Sequence, residues 1–360
     1  MEITNWHIAS TKSSLGNLNV LPLFWLKGFL EKNFDQNGHL KKGAEQPVLI
    51  YKDRNGIHQY VPIVRIVYSY VQSDDGKIYK LPGLAKYASK FRFFNGKLIS
   101  SQSNPYEQQQ IQYFSATGKG HIVNEDCYLG VTHPNSPDIK LLLVADGMGG
   151  HDAGDKASKF LARQMLGWFL DQDISNLENS KWVYEQLPDV IRNISWEMFV
   201  EFAVRRKLDS GSTLAMAIVN SNHTIIANVG DSRIGVVQNG KLNIVSIDDS
   251  PLIGTSKPPT PEEQDFMRTM PGHNYITQYV GDKIVNPHIR ALKNSDYTDI
   301  FLFSDGITDC MNYSTLNHIA CNIDKETLFR FITEASYGEE TMGAKGKATD
   351  DETVVHYSRR

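Results

Sequence analysis

Two stretches constrain the fold of this chain more than any others: Leu141-Leu-Leu-Val-Ala-Asp146-Gly147 and Ile300-Phe-Leu-Phe-Ser-Asp305-Gly306. Each is a short apolar run closed by Asp-Gly. A run of this length with no polar alternation is a strand buried on both faces, so the chain needs cover on each side of its sheet. The closing Asp emerges at the edge of the core, where a lone carboxylate is costly without a cation or hydrogen-bond donors. The following Gly lets backbone approach closely and leaves its carbonyl open.

Further β-like runs read as strands at Gln112–Ala116, Lys140–Ala145, Ser212–Val219, Thr224–Val229, Arg233–Gln238, Leu242–Ile247, Asp299–Phe303 and Thr353–Tyr357. Asn239-Gly240 is a strong two-residue hairpin turn between two of them. Two helical patterns follow Gly150. Ala157, Leu161, Met165 and Trp168 recur at spacings that put them on one face, and Trp182 to Arg206 continues with a second amphipathic pattern. Two helices followed by meandering strands predict an α+β fold with a mainly antiparallel sheet covered by helices, not a doubly wound parallel sheet.

The 360 residues suggest about two domains. Ser101–Gln110, SQSNPYEQQQ, is polar, contains Pro and reads as a linker. Residues 1–100 then form an accessory module of mixed α/β character, and 111–360 the main domain. In the module, Leu21–Phe34 reads as one helix, Pro47–Lys52 and Tyr60–Gln72 as strands, Asp74-Asp75-Gly76 as a turn and Lys77–Leu81 as a returning strand. No constellation of chemical residues stands out there. A docking or regulatory module and a structural extension are both open readings.

Lys and Arg number 37 against 41 Asp and Glu, a net charge of −4. That balance speaks against a non-specific nucleic-acid binder. Cys127, Cys310 and Cys321 form no CxxC pair, which disfavours a disulfide scaffold or Cys-rich zinc site and fits a reducing, cytoplasmic compartment. No apolar run is long enough to span a membrane, and the N-terminus lacks the pattern of a secretory signal.

Four acidic groups lie far apart in sequence, each beside a β run: Glu125-Asp126, Asp146, Asp305 and Asp350-Asp351. Acids at several strand ends are what a carboxylate metal site looks like in sequence. Oxygen-only ligands favour Mg²⁺ or Mn²⁺, and a pair of such ions can activate water and neutralise a phosphoryl group. Asp231, in Asn228-Val-Gly-Asp-Ser-Arg233, is a further candidate ligand.

Taken in order, VNED (123–126), VADGMGGHDAGDKAS (144–158), DSGSTLAMA (209–217), ANVGDSR (227–233), FSDGITD (303–309) and DDETVV (350–355) resemble the metal-dependent protein phosphatases of the PPM or type 2C family in their bacterial form, over about residues 110–358. The resemblance implies an αββα sandwich of two mainly antiparallel sheets flanked by helices. It implies hydrolysis of phosphoserine and phosphothreonine in proteins by a metal-activated water, with two divalent cations, Mn²⁺ or Mg²⁺, and a third, weaker site in some members. Substrates of a Ser/Thr kinase are the implied partners.

Residue by residue, Asp146 matches the carboxylate that bridges both ions and Gly147 the backbone-carbonyl ligand. Asp305 and Asp350 match two more ligands. Asp126 with Glu125 matches an acidic pair binding directly or through water. Asp231 and Asp309 match the third-ion positions, and a flap falls at about 249–277.

Two departures stand out. His121 occupies the position where the family usually has the Arg that grips the substrate phosphate, and a His lacks the bidentate fork. Asp351 replaces the Asn of the final Asp-Asn; binding an ion, tightening the site and facing solvent are all open to it. His151, after the GMGG turn, is a candidate proton donor to the leaving group or simply the start of a helix.

Other motif readings fail. Gly147-Met-Gly-Gly150 lacks the last Gly of a dinucleotide fingerprint, because Asp152 stands there. Gly343-Ala-Lys-Gly346-Lys347 is too short for a Walker A loop, and Gly230-Asp-Ser-Arg-Ile-Gly235 is one residue too long for a nucleophile elbow. Arg205-Arg206-Lys207 at a helix end reads as dipole compensation. Two alternatives remain beside the protein phosphatase: a catalytically dead or weak phosphatase fold serving as a binding or sensing module, and a phosphatase of small molecules. The first expects a lost bridging acid, and Asp146 is present.

Overall fold

The computed structural model describes residues 3–11, 19–21, 23–35, 40–54, 56–67, 70–75, 77–81, 84, 111–118, 121, 123–133, 135–149, 153–206, 208–251, 257–267, 270–272, 275–323, 327–328, 331 and 350–359. The expected linker, 101–110, and His151 lie outside these. The chain divides into two units, Met1–Gln109 with Val131–Pro137, and Gln110–Gly130 with Asp138–Arg360.

The first unit holds strands β1 (Trp6–Thr11), β2 (Asn19–Val20), β3 (Gln46–Lys52), β4 (His58–Val67), β5 (Tyr70–Ser73) and β6 (Ile78–Lys80), and helix α1 (Leu23–Asn33). The strands form one sheet in the order β2-β1-β3-β4-β5-β6, with antiparallel pairing throughout. Ile8, Leu26, Phe29, Leu30, Leu49 and Ile63 share its core. The stretch read as one strand over Tyr60–Gln72 is two antiparallel strands, with Ile66 opposite Val71. β1 was not visible in the sequence, because Trp6–Thr11 mixes polar and apolar residues without strict alternation.

The second unit contains β7 (Ile111–Ala116), β8 (Cys127–Thr132), β9 (Lys140–Ala145), β10 (Gly147–Gly149), α2 (Gly154–Asp171), α3 (Ile174–Glu178), α4 (Ser180–Phe199), β11 (Ser210–Ser212), β12 (Leu214–Val219), β13 (His223–Val229), β14 (Arg233–Gln238), β15 (Lys241–Ile244), α5 (Pro261–Met267), β16 (His288–Lys293), β17 (Asp299–Phe303), α6 (Asp305–Thr308), α7 (Tyr313–Cys321) and β18 (Glu352–Ser358). Two five-stranded sheets form, in the orders β16-β13-β12-β9-β8 and β15-β14-β17-β18-β7. Leu142, Val144, Ala215 and Ile226 of the first meet Ile234, Ile300, Leu302 and Val355 of the second in one core. The alternate residues of these strands point the other way. In the second sheet, Phe301, Phe303 and Val354 pack on Ile307, Leu316 and Ile319 of α6 and α7. On the first, α2 lies against β9, and α4 against β13 and β16. The layers are therefore α, β, β, α, and every residue of β9 and β17 is buried, as their unbroken apolarity requires.

Local chemistry explains the element boundaries. Asn179 caps α4 by accepting from Trp182 N, and Asn312 caps α7 by accepting from Thr315 N. Asn239 and Gly240 both take positive φ, 53° and 72°, as a two-residue hairpin turn demands. Trp168 is half-buried at the edge of the α2 stripe and stacks on Trp182 of α4 at 6.3 Å. The second helical pattern ends differently from expectation. Val200–Arg206 winds as a π-helix, and Arg205 and Arg206 pair with Glu201 as well as lying at the helix end.

Strand register fixes one end of the sandwich. In one sheet Phe114, Val354, Phe303 and Arg233 form a row; in the other, Val144, Ala215 and Asn228 do. Asp146, Asp305 and Asp350 all lie just beyond these rows on the same side, and the turn carrying Asp231 connects the two sheets there. Beside that turn, Arg233 and Asp248 form a buried ion pair, with Nη2 to Oδ2 at 2.7 Å. Replacing Asp248 by Ala leaves an uncompensated buried guanidinium and should cost about 3–5 kcal/mol. Glu201→Ala, removing the partly exposed ion pairs with Arg205 and Arg206, should cost less than about 1 kcal/mol. Urea midpoints of the two variants measure the contrast.

Candidate metal centre

The first apolar run ends with Asp146, whose backbone N–H donates to Thr213 Oγ1 at 3.1 Å while its carbonyl accepts from Thr213 N at 2.8 Å. Thr213 is held in turn by Ser232 at 2.6 Å. The second run ends with Asp305, the first residue of α6. Asp126 stands immediately before β8 and is buried. Asp350 precedes β18 by two residues.

These acids converge. Burial raises the Asp146 carboxyl well above the usual carboxylate range, and the charges of Asp305, Asp126 and Asp350 raise it further. Asp305 is pushed up to about 7 by burial and then by the charges of Asp309 and Asp350. The Asp146 and Asp305 carboxyls lie close enough to shift each other's titration. Asp126 is raised chiefly by burial, with Asp351 and Asp305 adding to it. Asp231 is raised by burial and by the charges of Asp305, Asp309 and Asp248, against the opposing charge of Arg233. Burial also raises Glu125 and Asp350. Asp309 N donates to Asp305 O at 2.7 Å, so Asp309 flanks the same group.

The donor set fits hard divalent cations on three observations. Both Asp126 carboxylate oxygens and Asp305 Oδ1 are buried without a hydrogen-bond partner among the described residues. The hydroxyls of Thr353 and Ser304 beside Asp126 soften its charge, but they are engaged with Ser115 and with the Asp351 carbonyl. Second, backbone crowding opens a cradle. A Cβ on Gly147 would run into the carbonyl oxygen of Gly154, and one on Gly154 would sit 2.6 Å from Gly147 O and 2.7 Å from the Glu125 carboxylate. Only glycines leave both of those oxygens open. Gly306 is under the same constraint, since its Cβ would collide with Asp351 O. Third, the converging acids and the Gly147 carbonyl offer oxygen ligands only, the preference of Mg²⁺ and Mn²⁺.

His121 and Asp351 lie at the edge of the cluster. His121 Nδ1 is 2.9 Å from Asp351 Oδ2 and 3.7 Å from Asp350 Oδ1. The hydrogen bond to Asp351 raises the His121 pKa, against the opposing effect of burial. Asp351 does not face solvent: its side chain is 1% exposed. The expected flap begins at Asp249, whose carbonyl accepts from Thr277 N at 2.7 Å, so the two ends of 249–277 meet. Asp249 also accepts from Gly230 N at 2.8 Å and pairs with His288 at 2.8 Å.

Sequence reasoning passed over Asp248, Asp249 and Thr213. Asp248 had a signal in Arg233, a cation inside a β run that needs a buried partner. Thr213 had none, because its role is a side-chain bond to the backbone of a residue 67 positions away.

Residues 117–341 match the family model for protein phosphatase 2C. The chain belongs to the protein phosphatase 2C family. It is 29% identical over 237 residues to protein phosphatase PhpP of Streptococcus pneumoniae, covering 63% of this chain and 92% of the relative. It is 30% identical over 234 residues to serine/threonine phosphatase stp of Listeria monocytogenes, covering 62% and 90%. A crystal structure of a bacterial serine phosphatase superposes with a TM-score of 0.59 at 26% identity, over 70% of this chain and 98% of the other. Serine/threonine phosphatase Stp1 from Staphylococcus aureus shares the fold, with a TM-score of 0.59 at 23% identity over 74% and 100%. Asp350 and Asp351 lie beyond the matched residues and are placed by the strand register instead.

Folding raises the pKa of these carboxyls, so the metal-free folded chain holds more protons than the unfolded one. The stability these carboxyls contribute is full below the ordinary carboxylate range, about pH 4, and is lost as pH rises through their raised values, that of Asp305 at about 7. Thermal melts of chelator-treated protein should show that decline, and Mn²⁺ or Mg²⁺ should abolish it. Asp146→Asn should raise the melting temperature of the metal-free protein by relieving repulsion, and should remove the cation-induced shift.

Proposed function

We propose that the chain is a Mn²⁺/Mg²⁺-dependent protein serine/threonine phosphatase. The observation that carries this reading is the convergence of Asp146, Asp305, Asp126 and Asp350 at one end of the double sheet, in a chain of the protein phosphatase 2C family. The named activities of the Streptococcus and Listeria relatives support the substrate class.

In this reading Asp146, Asp305, Asp350, Asp126 with Glu125, and the Gly147 carbonyl would hold two cations, and Asp231 and Asp309 would hold a weaker third. When bound, the cations supply the charge that lowers the pKa of a water and offsets charge on the phosphoryl oxygens. The chain's own contribution is geometric and electrostatic. Its carboxylates are pre-arranged on strand ends, so little reorganisation is needed when substrate binds. His121 orients the phosphate from the rim, and His151 is the proposed proton donor to the leaving alkoxide, which departs as the Ser or Thr hydroxyl.

The partners are phosphoserine and phosphothreonine proteins, the products of a Ser/Thr kinase. Among the described residues no helix is long and apolar enough to cross a membrane. The enzyme then belongs in the cytoplasm, whose reducing conditions suit three cysteines that form no disulfide with one another. Residues 1–100 serve as an accessory module joined through 101–110. The dead-enzyme alternative is not favoured, since Asp146 is present and sits within the cluster.

Purified protein with Mn²⁺ should release phosphate from a phosphothreonine peptide. EDTA should abolish the activity, and Asp146→Asn should lower kcat by at least about a hundredfold. Wild-type inactivity across Mn²⁺, Mg²⁺ and pH would sink the assignment.

A further inference from the structure

Asp350 and Asp351 are consecutive acids with opposite surroundings. The Asp350 side chain is 48% exposed, that of Asp351 1%. Both Asp351 oxygens are engaged: Oδ1 accepts from Gly118 N at 2.8 Å, and Oδ2 accepts from Glu125 N at 2.6 Å and lies 2.9 Å from His121 Nδ1. A carboxylate that meets three donors while buried is satisfied without an ion. One oxygen from each of Asp350 and Asp351, with His121 Nδ1, lie within 4.8 Å of one another, a spacing that would also suit a cation. The hydrogen bond argues otherwise. A carboxylate accepts, so Nδ1 carries the proton and has no lone pair for a metal. The ring is a third exposed, and Nε2 makes no hydrogen bond among the described residues.

Resting on the phosphatase reading above, we propose that Asp351 is a positioning residue and not an ion ligand. Its carboxylate locks His121 through Nδ1, so that Nε2 alone meets a phosphate oxygen of the substrate. Carboxylate–imidazole pairs fix the tautomer and ring orientation in this way. The same carboxylate ties the loop bearing Glu125 and Asp126 to the strand that follows Asp350, so phosphate orientation and two candidate ligand loops share one anchor.

Two substitutions separate the ring nitrogens. His121→Asn keeps an amide N–H where Nδ1 was and removes Nε2; His121→Gln reaches toward the Nε2 position and gives up Asp351. The readouts are the inhibition constant of inorganic phosphate, the Mn²⁺ concentration for half-maximal activity and the melting temperature. His121→Asn should weaken phosphate inhibition about tenfold, with the Mn²⁺ midpoint and melting temperature unchanged. His121→Gln should weaken it less. Asp351→Asn should weaken phosphate inhibition by a similar factor and also lower the melting temperature. The double variant Asp351→Asn with His121→Asn should be no weaker than Asp351→Asn alone, because both remove one interaction. A His121→Asn variant with a shifted Mn²⁺ midpoint and unchanged phosphate inhibition would overturn the proposal and put His121 in the metal shell.

A second measurement needs no turnover. In ¹⁵N-histidine-labelled, Mg²⁺-loaded protein, Nδ1 of His121 should appear as the protonated nitrogen, inorganic phosphate should shift Nε2, and Asp351→Asn should release the Nδ1 preference. A bare Nδ1, or an Nε2 deaf to phosphate, refutes the inference. An inactive wild type that shows the expected shifts would remove the phosphatase reading and leave the anchoring of His121 standing.

Discussion

Like-charged carboxylates crowded at one end of a double sheet are the feature around which this structure is organised. Asp146, Asp305, Asp126 and Asp350 each raise the cost of ionising another, and burial raises it more. A folded chain retains such a group only where something offsets the repulsion. The orphaned oxygens of Asp126 and Asp305 point to a cation as that agent. The glycines at 147, 154 and 306 belong to the same design, because side chains there would drive apart the backbone segments that carry the acids.

The rest of the second unit serves to hold these groups level. Antiparallel register brings the ends of β9 and β17 and the start of β18 to one side, and the Gly230–Ser232 turn joins the sheets there. That turn is gripped from both flanks: Asp248 holds Arg233, and Asp249 holds Gly230 N and His288. Thr213 and Ser232 brace Asp146 from below. Asp146 and Asp305 follow closely on buried strands, while His121 lies outside any helix or strand.

Much of this was legible in residues alone. The unbroken apolarity of Leu141–Ala145 and Ile300–Phe303 marked strands buried on both faces, and β9, β14 and β17 have the expected limits. The closing acids pointed to a shared site because each stood where a core ends. Other features were hidden for physical reasons. β16 carries Arg290 and Lys293 on a partly exposed edge, so its composition does not announce a strand. The π-helix after α4 depends on hydrogen-bond geometry that periodicity does not encode. Asp351 looked like one more acid beside a metal, and its burial and three donors distinguish it from Asp350.

Anomalous diffraction from Mn²⁺-soaked crystals tests the central claim most directly. The account predicts two manganese peaks with Asp146 between them, each about 2 Å from carboxylate oxygens, Asp305 and Asp350 among the ligands and Asp351 still bonded to His121. Saturating Mn²⁺ with no peak beside Asp146 and Asp305 would contradict it.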